Sequence, residues 1–130
     1  MSQVAYISPS QCLLHDTGAG HPERIERLNS INNRLEESGL IKDLSEKPAR
    51  PATLDEIAAV HPRTYIDQVT RLVTGGAPSL DGDTCVSSKS MEAAYLAAGA
   101  SLTGIDLIAA GEFNRVFCGV RPPGHHADTA

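Results

Sequence analysis

Apolar residues recur at helical spacing in several stretches of the chain. The first such stretch follows Pro22, which suits the opening turn of a helix, and stops before Gly39, a residue typical of helix ends. Within it the apolar positions are three or four residues apart: Ile25, Leu28, Ile31 and Leu35. This pattern predicts a long amphipathic helix.

Three further helices are predicted downstream. Thr53 and Glu56 match a capping box, which indicates a short helix through Val60, and a second helix should run from about Tyr65 to Gly75. The longest helix is predicted from roughly Ser88 to Ala110. Its apolar face is expected to contain Met91, Ala94, Tyr95, Ala98, Leu102, Ile105 and Ile108.

Strands are predicted at Val4–Ser8, near Leu44 and at Arg115–Val120. The last run is almost uninterrupted in its apolar character, which favours a strand buried on both faces of a helix-covered parallel sheet. The fold class is therefore α/β. Since such sheets usually have about five or six strands, residues 1–130 are expected to be the N-terminal portion of one larger domain. An exposed sheet edge or apolar helix face should then bind a second copy of the chain.

Composition, charge and cysteine spacing argue against several classes of function. The chain has 11 basic and 16 acidic residues, a net charge of −5, and its acidity is spread along both halves without a basic stripe. Direct nucleic-acid binding is therefore not expected. The first twenty residues do not resemble a signal peptide, and we find no membrane span. Three widely spaced cysteines without a CxxC pair fit a cytoplasmic protein with reduced thiols.

The candidate chemistry lies in the last ten residues, RPPGHHADTA. Pro122, Pro123 and Gly124 predict a stiff turn directly after the last strand, and this turn presents His125 and His126. Ligands of open α/β sheets bind beyond the carboxyl ends of the strands. One imidazole could accept a proton while the other stabilises negative charge. An ordinary surface loop, or an unrelated α/β domain that binds a metal or an anion, would also accommodate two histidines.

The segment VRPPGHHA resembles the signature of the histone deacetylase superfamily, in the class II-like and bacterial branch that includes acetylpolyamine amidohydrolases and acetoin-utilisation proteins. HDTGAGHPERIERL, DEIAAVHPRTYIDQV and the DGDT loop precede it in the same order as in that family. The resemblance implies the arginase/deacetylase fold, a parallel sheet flanked by helices. It also implies hydrolysis of acetylated lysine or acetylpolyamines by a zinc-activated water.

The resemblance also assigns roles to individual residues. His126 would be the general base, and His125 would assist it electrostatically. Asp83 would bind substrate at the rim of the site, and Arg27 would line an internal channel. His15 and His21 fall near a secondary zinc site of some relatives, although the cysteines that complete that site are not matched here.

One departure from the family pattern is decisive for function. In the family, an Asp-x-His pair, a further Asp and a catalytic tyrosine all follow the two histidines, and residues 1–130 contain none of these positions. We therefore expect an N-terminal fragment of a zinc-dependent deacetylase, without a catalytic metal site of its own and inactive alone. The alternative is a non-catalytic, self-associating module derived from the same fold.

Overall fold

The computed structural model describes residues 3–125 and 127–128. The strands are β1 (Val4–Ile7), β2 (Leu44–Glu46) and β3 (Arg115–Cys118). The α-helices are α1 (Glu26–Glu37), α2 (Leu54–Ala58), α3 (Arg63–Thr74) and α4 (Ser90–Ala109). Two short 3-10 helices lie at Ser10–Leu14 and Leu40–Asp43. No helix in this described part of the chain is long and apolar enough to cross a membrane.

The described strands form an open parallel sheet in the order β2-β1-β3. Val4 pairs with Leu44 on one side and with Arg115 on the other. The central strand β1 is correspondingly the most buried, with Ala5, Tyr6 and Ile7 almost inaccessible to solvent. This arrangement confirms the predicted α/β class and an incomplete sheet with parallel strands.

Strand β3 corrects one prediction, because it is not buried on both faces. Its residues alternate between exposed and half-buried, and Phe117 is 43% exposed. The reason is that α4 packs on the face that carries Val116, against Gly104, whereas the alternate face, which carries Arg115 and Phe117, is exposed. The Phe117 ring nevertheless stacks on Tyr6, with ring centroids 5.4 Å apart.

Helix α4 has close to the predicted length, but the large residues at the C-terminal end of its predicted apolar face are not buried. Ile105 and Ile108 are 62% and 46% exposed. The face that packs against the molecule carries mainly small residues: Ser90, Ala93, Leu96, Ala97, Gly99, Ala100 and Gly104. Small side chains let the helix axis approach its neighbours closely, whereas the larger apolar residues of the other face would hold it away.

Helix α1 begins at Glu26, four residues after Pro22. Residues between them make other contacts: the Glu23 amide donates to His21 Nδ1 at 3.0 Å, and the Glu23 carbonyl accepts from Thr17 Oγ1. At the other end, Gly39 has a φ of 78°, a left-handed conformation that glycine adopts without strain. The predicted stop and the predicted Thr53–Glu56 capping box are both confirmed.

Candidate functional site

The turn that carries the histidines leaves β3 at the carboxyl edge of the sheet. The Gly119 amide donates to the Ile7 carbonyl at 3.0 Å, and the Ser8 hydroxyl donates to the Gly119 carbonyl at 2.8 Å. Beyond this attachment His125 is exposed, in a turn closed by a bond from the Ala127 amide to the Gly124 carbonyl at 2.9 Å. His126 lies outside the described residues. The structure thus places His125 where α/β sheets bind ligands.

Arg121 is fully buried at the base of this turn. Its Nε and Nη2 donate to the two carboxylate oxygens of Glu23, at 3.0 and 2.9 Å. Its Nη1 donates to the carbonyl oxygen of Cys12 at 2.9 Å and also to that of His15. The planar guanidinium therefore satisfies a carboxylate and two backbone carbonyls at once, which a lysine ammonium could not do in the same geometry.

Glu23 lies between two arginines. Besides Arg121, it accepts a bond at 2.9 Å from Nη1 of Arg27, one turn further along the chain. Burial alone would raise the pKa of the Glu23 carboxyl, but the bonds and positive charges of the arginines outweigh that effect and hold its pKa below the usual 4.5. Glu23 is consequently ionised at neutral pH.

His15 is buried beside this ion pair. Its Nδ1 lies 2.7 Å from the hydroxyl of Ser90, at the start of α4, and its Nε2 lies 3.7 Å from a carboxylate oxygen of Glu23. Burial, reinforced by the charge of Arg121, lowers the pKa of His15 below 6.5. The ring is therefore a neutral hydrogen-bonding group that connects α4 to the loop after β1.

Asp83 and His21 are in contact, and His21 belongs to the segment between β1 and α1. His21 Nε2 is 3.0 Å from the backbone carbonyl of Asp83 and 3.6 Å from its carboxylate. Since His21 Nδ1 accepts from the Glu23 amide, Nε2 is the nitrogen that can donate. The Asp83 side chain itself is 98% exposed. A carboxylate this exposed is accessible to a cationic or amide group from solvent.

The structure brings some of the predicted site residues together. Arg27 is half-exposed on α1 and contacts Glu23, which joins it to the Arg121 network, while Asp83 is joined through His21. Within residues 3–125 and 127–128, no cluster of three or more His, Cys, Asp or Glu side chains could hold a metal ion. Among the described residues, His15 and His21 therefore lack the third ligand that a zinc centre requires.

An apolar cavity of about 390 Å³ adjoins the turn. Helix α3 contributes Tyr65 and Val69, and α4 contributes Tyr95. Pro122, Pro123 and Gly124 form another part of the wall. The predicted apolar face of α4 lies in part along this cavity, because Met91, Ala94 and Ala98 also line it. An apolar group in the cavity would lie beside the histidine-bearing turn.

Comparison with known proteins identifies the family. Residues 21–130 match the model of the histone deacetylase domain. The chain belongs to the histone deacetylase family. A histone deacetylase-like amidohydrolase of Pseudomonas aeruginosa is 35% identical over 108 residues, which cover 83% of this chain and 28% of that protein. A probable deacetylase of Archaeoglobus fulgidus is 30% identical over 117 residues, covering 88% of this chain and 32% of the relative.

Structural comparison gives the same family. The crystal structure of the HDA15 HD domain superposes with a TM-score of 0.88 at 30% identity, covering 99% of this chain and 38% of the other. An uncharacterized protein of Synechocystis is 38% identical over 127 residues, 95% of this chain and 41% of that protein. The deacetylase-family chain thus spans about 28 to 41% of the length of these relatives.

Sequence reasoning missed the residues that support the turn. Glu23 and Arg121 are 98 positions apart, and His15 and Ser90 are 75 apart, so no local spacing connects them. A usable signal existed for Arg121. It follows the apolar run 116–120, and a charged side chain that is buried at such a place needs an opposite charge.

Proposed function

We propose that this chain forms the part of a zinc-dependent deacetylase that supplies the proton-handling histidines. The family membership supports amide hydrolysis, and histone deacetylase-family proteins are generally zinc-dependent. The observation that carries the proposal is the position of the histidine turn, beyond the carboxyl end of β3 and beside an apolar cavity. The substrates would be acetylated lysine or acetylated polyamines.

His126 would accept a proton from the attacking water as the amide carbonyl is attacked. His125 would stabilise the negative charge that develops and share in returning a proton to the amine that leaves. Neutral imidazole suits the first task and protonated imidazole the second, near neutral pH. Asp83, whose side chain is exposed, would hold an amine or backbone amide of the substrate.

Zinc would polarise the acetyl carbonyl and activate water when bound. Its ligands in the family follow the histidine pair, and the described residues do not supply a set of three. We therefore infer that the 130-residue polypeptide does not hydrolyse acetyl-lysine by itself and that residues further along a complete deacetylase domain bind the metal.

This inference is tested by assaying the purified polypeptide with an acetyl-lysine peptide and with an acetylpolyamine, in buffer containing zinc. The expected result is no product above a control without protein. Product formation that disappears in a His126→Ala variant would contradict the inference of inactivity, because the 130 residues would then contain a complete site.

A self-associating assembly module is the second candidate. It is favoured by the exposed Phe117 on the edge strand β3 and by the exposed Ile105 and Ile108 on α4. Exposed strand edges and large apolar side chains are typical of surfaces that bind another protein, here a second copy of the chain. The two candidates differ in one respect: in the second, the histidine pair is dispensable.

A further inference from the structure

We propose that Arg121 and Glu23 are positioning residues that fix the direction of the histidine turn. This proposal builds on the proposed function, since accurate placement of the imidazoles matters for proton transfer. Arg121 lies immediately before Pro122, between the end of β3 and the histidine pair. Its side chain points back into the protein, whereas His125 is exposed.

The four hydrogen bonds of Arg121 connect three separate segments of the chain. Two bonds reach the Glu23 carboxylate ahead of α1, and two reach carbonyl groups of the segment that follows β1, at Cys12 in the 3-10 helix and at His15 after it. His15 is in turn held by Ser90 of α4. The root of the turn is thereby attached to the central strand's loop and to two helices at once.

The presence of this ion pair is weak evidence for a role in stability. A buried ion pair is often no more stabilising than a pair of apolar residues of similar volume. A bidentate guanidinium does, however, define both distance and orientation, because its donors are coplanar and fixed relative to one another. The geometry therefore indicates that the Arg121–Glu23 pair controls where the turn lies.

The two prolines carry this orientation forward. Each proline ring fixes its own φ near −65°, so the backbone between Arg121 and Gly124 has few alternatives once Arg121 is held. The bond between the Gly124 carbonyl and the Ala127 amide then closes the next turn. Displacement of the guanidinium should consequently move the imidazole of His125, even though Arg121 is buried and His125 is exposed.

The test is NMR spectroscopy of the 130-residue chain and two variants, Glu23→Gln and Arg121→Lys. Glu56→Gln is the matched control, because Glu56 also forms a bidentate pair with an arginine, Arg50 at 2.8 and 2.9 Å, in an exposed location. Glutamine also retains the capping-box chemistry of that position. The measured quantities are the backbone order parameters of Gly124 and His125 and the ring Cε1–Hε1 signal of His125.

In the wild-type chain, Gly124 should have an order parameter near that of rigid backbone, about 0.85. In both variants it should fall below about 0.6, and the His125 ring signal should shift, with no such change in Glu56→Gln. A purely stabilising role would lower the denaturation midpoint without moving the His125 signal in the folded protein, and that result would overturn the proposal.

Two further outcomes are informative. If both variants unfold, the wild-type order parameters decide: a Gly124 as mobile as the chain terminus would contradict the proposal, and a rigid Gly124 would support it. These measurements do not depend on turnover. A complete protein that lacks deacetylase activity would refute the proposed function but leave a positive NMR result intact, so the two failures can be distinguished.

Discussion

At the scale of single residues, the charges below the histidine turn make the protein sensitive to acid. Neutral His15 faces the cation of Arg121, the carboxylates of Glu23 and Asp16, and the ring of His21. The pKa of His15 is lowered in the folded protein. Below pH 6.5 the unfolded chain therefore binds a proton at His15 more readily than the folded chain does. The pKa of Glu23 is also lowered, so its stabilising contribution is lost as pH falls below 4.5. Both effects lower the free energy of unfolding as the pH falls.

We predict that the free energy of unfolding declines as pH falls from 7 to 5, measured by urea denaturation at several pH values. In a His15→Gln variant the slope over this range should be smaller, although the absolute stability at pH 7 should also fall because the Ser90 contact changes. A slope identical to that of the wild-type protein would show that His15 is not the group responsible.

At the scale of secondary-structure elements, the glycines of α4 allow neighbouring segments to pack closely against this helix. The connector before α2 crosses the helix so closely that a Cβ on Gly99 would lie 1.8 Å from the Arg50 carbonyl oxygen and 2.8 Å from the Ala52 nitrogen. That crossing is held by bonds from the Ala52 amide to the Tyr95 carbonyl and from the Arg50 amide to the Thr103 hydroxyl. Because Gly99 has no side chain, the connector can approach α4 closely enough to form both bonds.

Gly99→Ala is therefore expected to destabilise the protein by on the order of 3 kcal/mol, since backbone atoms cannot move aside as a flexible side chain would. Gly82→Ala is the control, because a Cβ there would contact nothing within 4 Å. Guanidinium denaturation of the two variants measures the difference. Equal stability of Gly99→Ala and the wild-type protein would contradict the crossing as described.

The elements that local sequence could predict are those whose signals are local. The Thr53–Glu56 capping box, the Gly39 stop and strand β1 all depend on residues within a few positions of one another. The buried face of α4 could not be predicted in this way, because hydrophobicity favours Ile105 while the closeness of β3 selects Gly104, whose Cβ would meet Val116 at 2.9 Å. The residues that support the site could not be predicted for the same reason, because Arg121 and Glu23 meet only through the tertiary fold.

At the scale of the whole molecule, the chain has the architecture of a deacetylase domain over a limited span. The described sheet has β2 and β3 at its edges, and the matched regions make up only 28 to 41% of the relatives' length. Exposed apolar residues lie on β3 and on the outer face of α4. In the 130-residue chain, these surfaces are expected to bind a second copy.

Sedimentation velocity across a range of concentrations should accordingly detect a dimer or larger species. Ile105→Lys should shift the population toward monomer, because a charge would be placed on the proposed contact surface. Val60→Lys is a matched control, as Val60 is 63% exposed against 62% for Ile105 but lies between α2 and α3. A monomer at every concentration would contradict the proposed self-association.

The most direct test of the account is the rate at which the product of the complete reading frame hydrolyses acetyl-lysine, compared with its His126→Ala variant. If the histidine turn is the proton-handling part of a deacetylase site, the wild-type protein hydrolyses the substrate. The variant should then lose about 100- to 10,000-fold in rate, the usual contribution of a general base. Hydrolysis that is unchanged in the variant, or absent from the complete product, would contradict it.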